Sequence, residues 1–173
     1  MYDSRCFDKS LILRDGVRLT SRIWLPNGNG PWPALLMRQP YGREIASTIT
    51  YSHPLWWASK GYMVIIQDVR GMGSSEGVFN GFAQEASDTS ETHEWIRSLK
   101  ECNGKLGLYG FSYQGLTQLT GEPNSDPPDC LSPAMTGMNI KDHWCSDGGA
   151  YWRHNNIAWG LQIAALKMKR ENN

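Results

Sequence analysis

The sequence predicts a single α/β domain built on a mostly parallel sheet with helices on both faces. Three observations lead there. Short apolar runs alternate with helix-patterned segments along the chain. The run Tyr62-Met63-Val64-Ile65-Ile66-Gln67 is apolar without alternation, as expected of a strand buried on both faces. The run 106–109 leads directly into a glycine-flanked serine. A length of 173 residues sits within the range of roughly 100–200 residues for one domain.

Taken in order, residues 10–13 and 17–25 lean towards strand, and Arg14-Asp15-Gly16 between them is a hairpin turn signal. Pro26-Asn27-Gly28-Asn29-Gly30-Pro31 is a loop. Ala34-Leu35-Leu36-Met37 reads as a short strand that runs into the loop Arg38-Gln39-Pro40-Tyr41-Gly42. Residues 55–60 read as a helix closed by Gly61. Residues 85–99 carry Ala86, Thr89, His93 and Ile96 at helical spacing. Acids early and Arg97 and Lys100 late suit the helix dipole there. The helix expected after Ser112 is cut short by Gly121-Glu122-Pro123, and residues 124–129 are polar and proline-rich. After Pro133 the chain becomes rich in Trp, Gly, Met and His, and it ends in a helical stretch, 157–169. The expected organisation is therefore an α/β part over 1–133 and a distinct segment over 134–173.

Composition narrows the function classes. Lys+Arg and Asp+Glu are both 17, which argues against a nucleic-acid partner or an anionic membrane surface. No apolar run approaches the ~18 residues of a membrane span. The N-terminal residues lack the apolar core of a signal peptide. Cys6, Cys102, Cys130 and Cys145 have no metal-like spacing, so reduced thiols in a cytoplasmic protein are expected, with no metal and no cofactor. Eight Trp is heavy usage for this length; Trp24 and Trp95 are assigned to the core.

The chemistry centres on Gly110-Phe111-Ser112-Tyr113-Gln114-Gly115. A serine hydroxyl becomes nucleophilic when a base removes its proton and donors stabilise the oxyanion that follows. A nucleophile elbow holds such a serine on a strained strand-to-helix turn with small flanking residues. Gly110 and Gly115 flank Ser112 after an apolar strand, though Gln114 stands where the Gly-x-Ser-x-Gly pattern has its last glycine. Glycine-flanked serines also occur in ordinary loops.

Further segments accompany this one in order: Arg14-Asp15-Gly16-Val17-Arg18-Leu19, Arg38-Gln39-Pro40-Tyr41, Gln67-Asp68-Val69-Arg70-Gly71 with Ser75-Glu76-Gly77, and Gly104-Lys105-Leu106-Gly107-Leu108-Tyr109. Together with Gly-x-Ser-Tyr-x-Gly they resemble the CocE/NonD hydrolases, a peptidase S15-type family of esterases, acylases and X-Pro dipeptidyl-peptidases. The resemblance implies an α/β-hydrolase-type fold that here stops within a helical cap. It implies that Tyr41 donates its hydroxyl to the oxyanion, beside the backbone N–H of Tyr113; the alternative for Tyr41 is a plain turn residue after Pro40. Asp68, Arg70 and Gly71 are read as a structural turn. Residues 142–150 resemble the start of the cap, which makes Trp144 and Trp159 either substrate-binding aromatics or cap packing.

In that family the triad acid and base lie downstream of the cap and a jelly roll usually follows, so none of these is expected on this chain. His53 and His93 are read as surface residues. His143 and His154, with Asp142 and Asp147 nearby, have no family position that supports a replacement pair. The expectation is the N-terminal piece of a serine hydrolase that cleaves a small ester or amide, or a peptide, through an acyl-enzyme on Ser112. Its candidate partner is a complementing C-terminal half or a second copy. The alternative is a non-catalytic half-fold, serving as an interaction module or left as an inactive gene fragment. Esterase or acylase activity is favoured over peptidase, because no acidic pair for a substrate amine is identifiable.

Overall fold

The computed structural model describes residues 5–44 and 51–171. Six strands form one sheet: β1 (Arg5–Ile12), β2 (Arg18–Leu25), β3 (Trp32–Gln39), β4 (Met63–Asp68), β5 (Cys102–Phe111) and β6 (Cys130–Ala134), in spatial order β1-β2-β4-β3-β5-β6. β1 and β2 form an antiparallel hairpin, and β2 pairs antiparallel with β4. The pairs β3–β4, β3–β5 and β5–β6 are all parallel. The hairpin closes where the sequence expects it: Gly16 has φ +86°, and the Asp15 carboxylate accepts from the Val17 N–H at 3.0 Å.

Strand alternation sorts the core into two layers. Met63 and Ile65 of β4 face one way, against Ile96 and Leu99 at the end of α2 (Glu85–Ser98). Val64 and Ile66 face the other way, against Ala58, Leu55 and Trp57 of α1 (Pro54–Ala58). Every residue of β4 is buried, as its unalternated apolar run predicts. Trp24 is buried in the second layer, and Trp95 packs on the first.

β6 was not legible in the sequence. Cys-Leu-Ser-Pro-Ala has weak strand character and lies mostly exposed, so only its pairing with β5 defines it. Asp129 sets its register, accepting from the Leu106 N–H at 2.9 Å while its own N–H donates to the Leu106 carbonyl at 2.8 Å. His93 also departs from expectation: it is 4% exposed on α2, packed inward rather than on the surface. His53 is exposed as read, and its Nδ1 caps α1 by accepting from the Leu55 N–H at 3.2 Å.

Past β6 come a π-helical turn (Lys141–Cys145), a minimal hairpin of β7 (Ser146–Asp147) and β8 (Ala150–Tyr151), and the last helix, Arg153–Glu171. Ile163 and Arg170 are among the residues that hold this helix, α4 in the numbering below. Ile163 is buried among Val69, Met72 and Tyr113. Arg170 donates to the carbonyls of Gly71 and Ser75, both at 2.6 Å. Those carbonyls belong to the turn after β4, which is structural as read from the sequence. Asp68, fully buried, pairs with Arg43 at 2.8 Å and accepts from the Ser74 N–H at 3.0 Å. Arg70 bridges Asp88 and Asp15, and a Cβ on Gly71 would meet the Phe79 nitrogen at 2.1 Å. None of the helices among the described residues is long and apolar enough to cross a membrane.

Candidate active site

Ser112 sits at the junction between β5 and α3 (Tyr113–Leu116). Its backbone has φ 61° and ψ −119°, a conformation costly for a residue with a side chain. Its neighbours maintain the strain. The Ser112 N–H donates to the Ala134 carbonyl at the end of β6, at 2.9 Å. A Cβ on Gly110 would meet Gln114 Cβ at 2.4 Å, and one on Gly115 would meet Thr136 at 3.0 Å. These close approaches are the reason both positions are glycine. Ser112 Oγ has no hydrogen-bond partner among the described residues.

Gln114, which departs from the expected glycine, ties the elbow to the neighbouring loop. Its Oε1 accepts from the Phe111 N–H at 3.2 Å, and its Nε2 donates to Gln39 Oε1 at 2.7 Å. Gln39 Nε2 in turn donates to the Gly42 carbonyl at 2.9 Å, across the turn that carries Tyr41. Gln114 is 4% exposed and Gln39 1%, so water is a poor substitute for either partner. Gln114→Leu is expected to lower stability by about 2 kcal/mol in urea unfolding, through the partners it leaves unmatched. A loss below about 0.5 kcal/mol would sink this account of the pair.

Ser112 opens into a cavity of about 470 Å³ walled by Met135, Met138, His143, Trp144 and Trp152 among others. Of the two tryptophans singled out in the sequence, Trp144 lines this cavity and Trp159 is not among its described lining residues. Trp159 lies instead in an aromatic cluster, stacked on Phe82 at 5.7 Å and on Tyr113 at 5.9 Å, with Trp144 edge-on at 6.1 Å. Its indole N–H donates to the Tyr41 hydroxyl oxygen at 3.3 Å. Burial raises the Tyr41 pKa above the usual phenol value, so the hydroxyl keeps its proton at neutral pH. The N–H of Tyr113, first residue of α3, has no intrahelical acceptor and is available at the elbow. The Tyr113 ring is fully buried, with its hydroxyl 2.8 Å from Glu85 Oε1 and its pKa raised chiefly by burial.

Trp152, Met135, Met138 and His143 were not singled out as lining residues; the only advance signal was the Trp- and Met-rich character of the chain after Pro133. His143 shares the cavity with Ser112, but the Asp142 carboxylate beside it accepts from Asn139 at 3.0 Å. No hydrogen bond joins His143 or His154 to a carboxylate among the described residues. Nor, among those residues, do three or more His, Cys, Asp or Glu side chains gather as metal ligands would.

Residues 15–173 match the family of X-Pro dipeptidyl-peptidases (S15 family). The chain is 33% identical over 155 residues to the cocaine esterase of a Rhodococcus species, covering 87% of this chain and 27% of that protein. It superposes on a CocE/NonD family hydrolase from Staphylococcus aureus with a TM-score of 0.81 over 95% of this chain and 34% of that one, at 21% identity, which shows the shared fold. An α-amino acid ester hydrolase matches with a TM-score of 0.64 at 27% identity, over 82% of this chain and 27% of that one. The chain therefore spans about a quarter to a third of the length of these relatives.

Proposed function

Because this chain belongs to the X-Pro dipeptidyl-peptidase (S15) family of hydrolases, we propose that Ser112 is the nucleophile of an acyl transfer from an ester or amide. The observation that carries this reading is the strained elbow, which aims an unpartnered hydroxyl into an apolar cavity. In the proposed reaction Ser112 Oγ attacks the substrate carbonyl carbon as a base takes its proton. The carbonyl oxygen becomes an oxyanion that accepts from the Tyr113 N–H and the Tyr41 hydroxyl. Collapse expels the alcohol or amine, which leaves with a proton, and water then hydrolyses the acyl-serine.

Trp144 and Trp152 form an aromatic wall suited to an apolar acyl group. None of the described residues lining this cavity is Asp or Glu. A peptidase that selects a free substrate amine needs such carboxylates, so ester or acyl-amide substrates fit better. The activating base and its acid are assigned to further polypeptide, since the chain spans 27% of the cocaine esterase it matches.

A fluorophosphonate probe tests the assignment. The full polypeptide encoded by the gene is expected to be labelled, and Ser112→Ala to abolish the label. Equal labelling after the substitution, or none in the unsubstituted polypeptide, would refute the nucleophile.

A second reading, a binding module, is favoured by exposed apolar side chains on α4 (Arg153–Glu171) and β6, namely Ile157, Leu161, Met168 and Leu131. Under it, the isolated 173-residue chain should elute as a soluble, folded species with a bound partner.

A further inference from the structure

We propose that the cavity beside Ser112 selects acyl groups carrying an uncharged hydrogen-bond acceptor beyond the reacting carbonyl, a ketone or amide oxygen, with His143 as its main donor. This rests on the nucleophile reading above and deepens it by naming the substrate class.

The cavity walls offer two kinds of surface. Met135, Met138, Trp144 and Trp152 are apolar or aromatic, whereas Thr136, His143 and Asn155 bring polar side chains. Those three are unspent. Thr136 Oγ1 is buried without a hydrogen-bond partner. Neither the His143 ring nor the Asn155 amide makes a hydrogen bond among the described residues. Asn156 is a contrast: its Nδ2 donates to the carbonyls of Cys145 at 3.1 Å and Trp152 at 2.8 Å, and so is used up in closing the turn. A ligand that fills the cavity displaces water from the open polar groups. One that brings no acceptor leaves them unmatched, which is the physical basis for rejecting it.

His143 is held firmly enough to act as a fixed donor. The π-helical turn Lys141–Cys145 carries it beside Trp144, and both line the cavity. Such turns are rare and recur at functional sites. The His143 N–H donates to the Asn139 carbonyl at 2.8 Å, and Ser146 Oγ donates to the Lys141 carbonyl at 2.7 Å. A Cβ at Gly137 would lie 2.7 Å from His143 Cβ, so the chain leaving β6 packs directly on this turn. An imidazole has an N–H to donate whether neutral or protonated.

Charge decides the class of acceptor. Among the described lining residues there is no Arg or Lys to offset a carboxylate on the acyl chain, and no Asp or Glu to offset an ammonium. An uncharged oxygen gains the hydrogen bond without the cost of burying a charge.

The test uses p-nitrophenyl esters and the full polypeptide encoded by the gene. The 4-oxo-4-phenylbutanoyl and 4-phenylbutanoyl esters differ by one ketone oxygen, and the 5-oxo-5-phenylpentanoyl and 5-phenylpentanoyl pair moves that oxygen one carbon further. Each kcat/KM is divided by the ester's rate with hydroxide, which removes intrinsic reactivity. In at least one pair the keto ester is expected to be favoured by about tenfold, the scale of one net hydrogen bond. His143→Leu should bring that ratio close to one. The ratio is internal to each protein, so loss of folded enzyme cancels from it. Equal values in both pairs, or a preference that His143→Leu leaves unchanged, would overturn the proposal. So would a glutaryl-over-pentanoyl preference larger than the keto preference, since that assigns the cavity to anions.

Failure of the nucleophile reading has a different signature: none of the esters turns over and Ser112 takes no fluorophosphonate label. Binding of the corresponding primary amides to Ser112→Ala, followed by tryptophan fluorescence, then decides the cavity's role. Tighter binding of a keto amide, lost on adding His143→Leu, supports the assignment, and equal affinities overturn it.

Discussion

Replacing Glu85 by glutamine is expected to destabilise the protein by about 3–5 kcal/mol, the cost of stripping a buried ion pair of one member. Glu85 is fully buried and holds two partners, Arg38 Nη1 at 2.7 Å and the Tyr113 hydroxyl at 2.8 Å. Arg38 is only 2% exposed, and its Nη2 already lacks a partner. Glutamine preserves volume but leaves a cation in the interior with no counter-charge. Against a typical total of about 5–15 kcal/mol, that loss decides whether the chain folds. The measurement is urea unfolding of Glu85→Gln beside the double variant Arg38→Leu/Glu85→Leu. The double variant should recover much of the loss, since well-packed apolar residues often match a buried pair. A single-variant loss below about 1 kcal/mol would show that water or a rearranged partner satisfies Arg38.

The second large effect is on pH dependence. The His93 pKa falls from 6.5 to about 4, chiefly through burial and also through the nearby positive charges of Arg38 and Arg97. The folded protein therefore keeps this imidazole neutral while the unfolded chain takes up a proton near pH 6.5. Stability from this residue is fully present above pH 6.5 and is lost as pH falls towards 4. The whole gap corresponds to about 3 kcal/mol, of which about 2 kcal/mol is lost by pH 5. Ordinary carboxylates titrate below that range, so comparing urea unfolding at pH 7.5 and pH 5 reads chiefly the histidine, with the raised carboxyl of buried Asp68 acting in the opposite sense. His93→Leu should remove most of the difference. A slope as steep in the variant as in the wild type would assign the effect to other groups.

Particular residues show how much was legible in advance. The β4 run, the hairpin at Asp15-Gly16 and the helix over α2 depend on signals within a few residues: apolar continuity, a turn dipeptide, a 3.6-residue period. The elbow at Ser112 was legible for the same reason, since a strand followed by Gly-x-Ser-x-x-Gly is a local pattern. His93 was misread because its helical position showed only that it lies on α2; which face of α2 meets the sheet is decided by Ile96 and the strands beneath it.

By itself, then, the sequence determined the α/β class, the parallel centre of the sheet, the family and the strand-to-helix turn at Ser112. Each is written in short-range pattern or in ordered motifs. Tertiary structure alone decided that Cys130–Ala134 is a strand, that Gln114 reaches Gln39 across 75 positions, and that Trp159 reaches Tyr41 across 118. It alone decided that Trp152 joins Trp144 in the cavity with Ser112 while Trp159 stacks on Phe82 and Tyr113. The physical reason is the same in each case. A hydrogen bond or a stacking contact needs its atoms within a few ångströms, and composition and spacing carry no record of which distant segments the folded sheet brings that close.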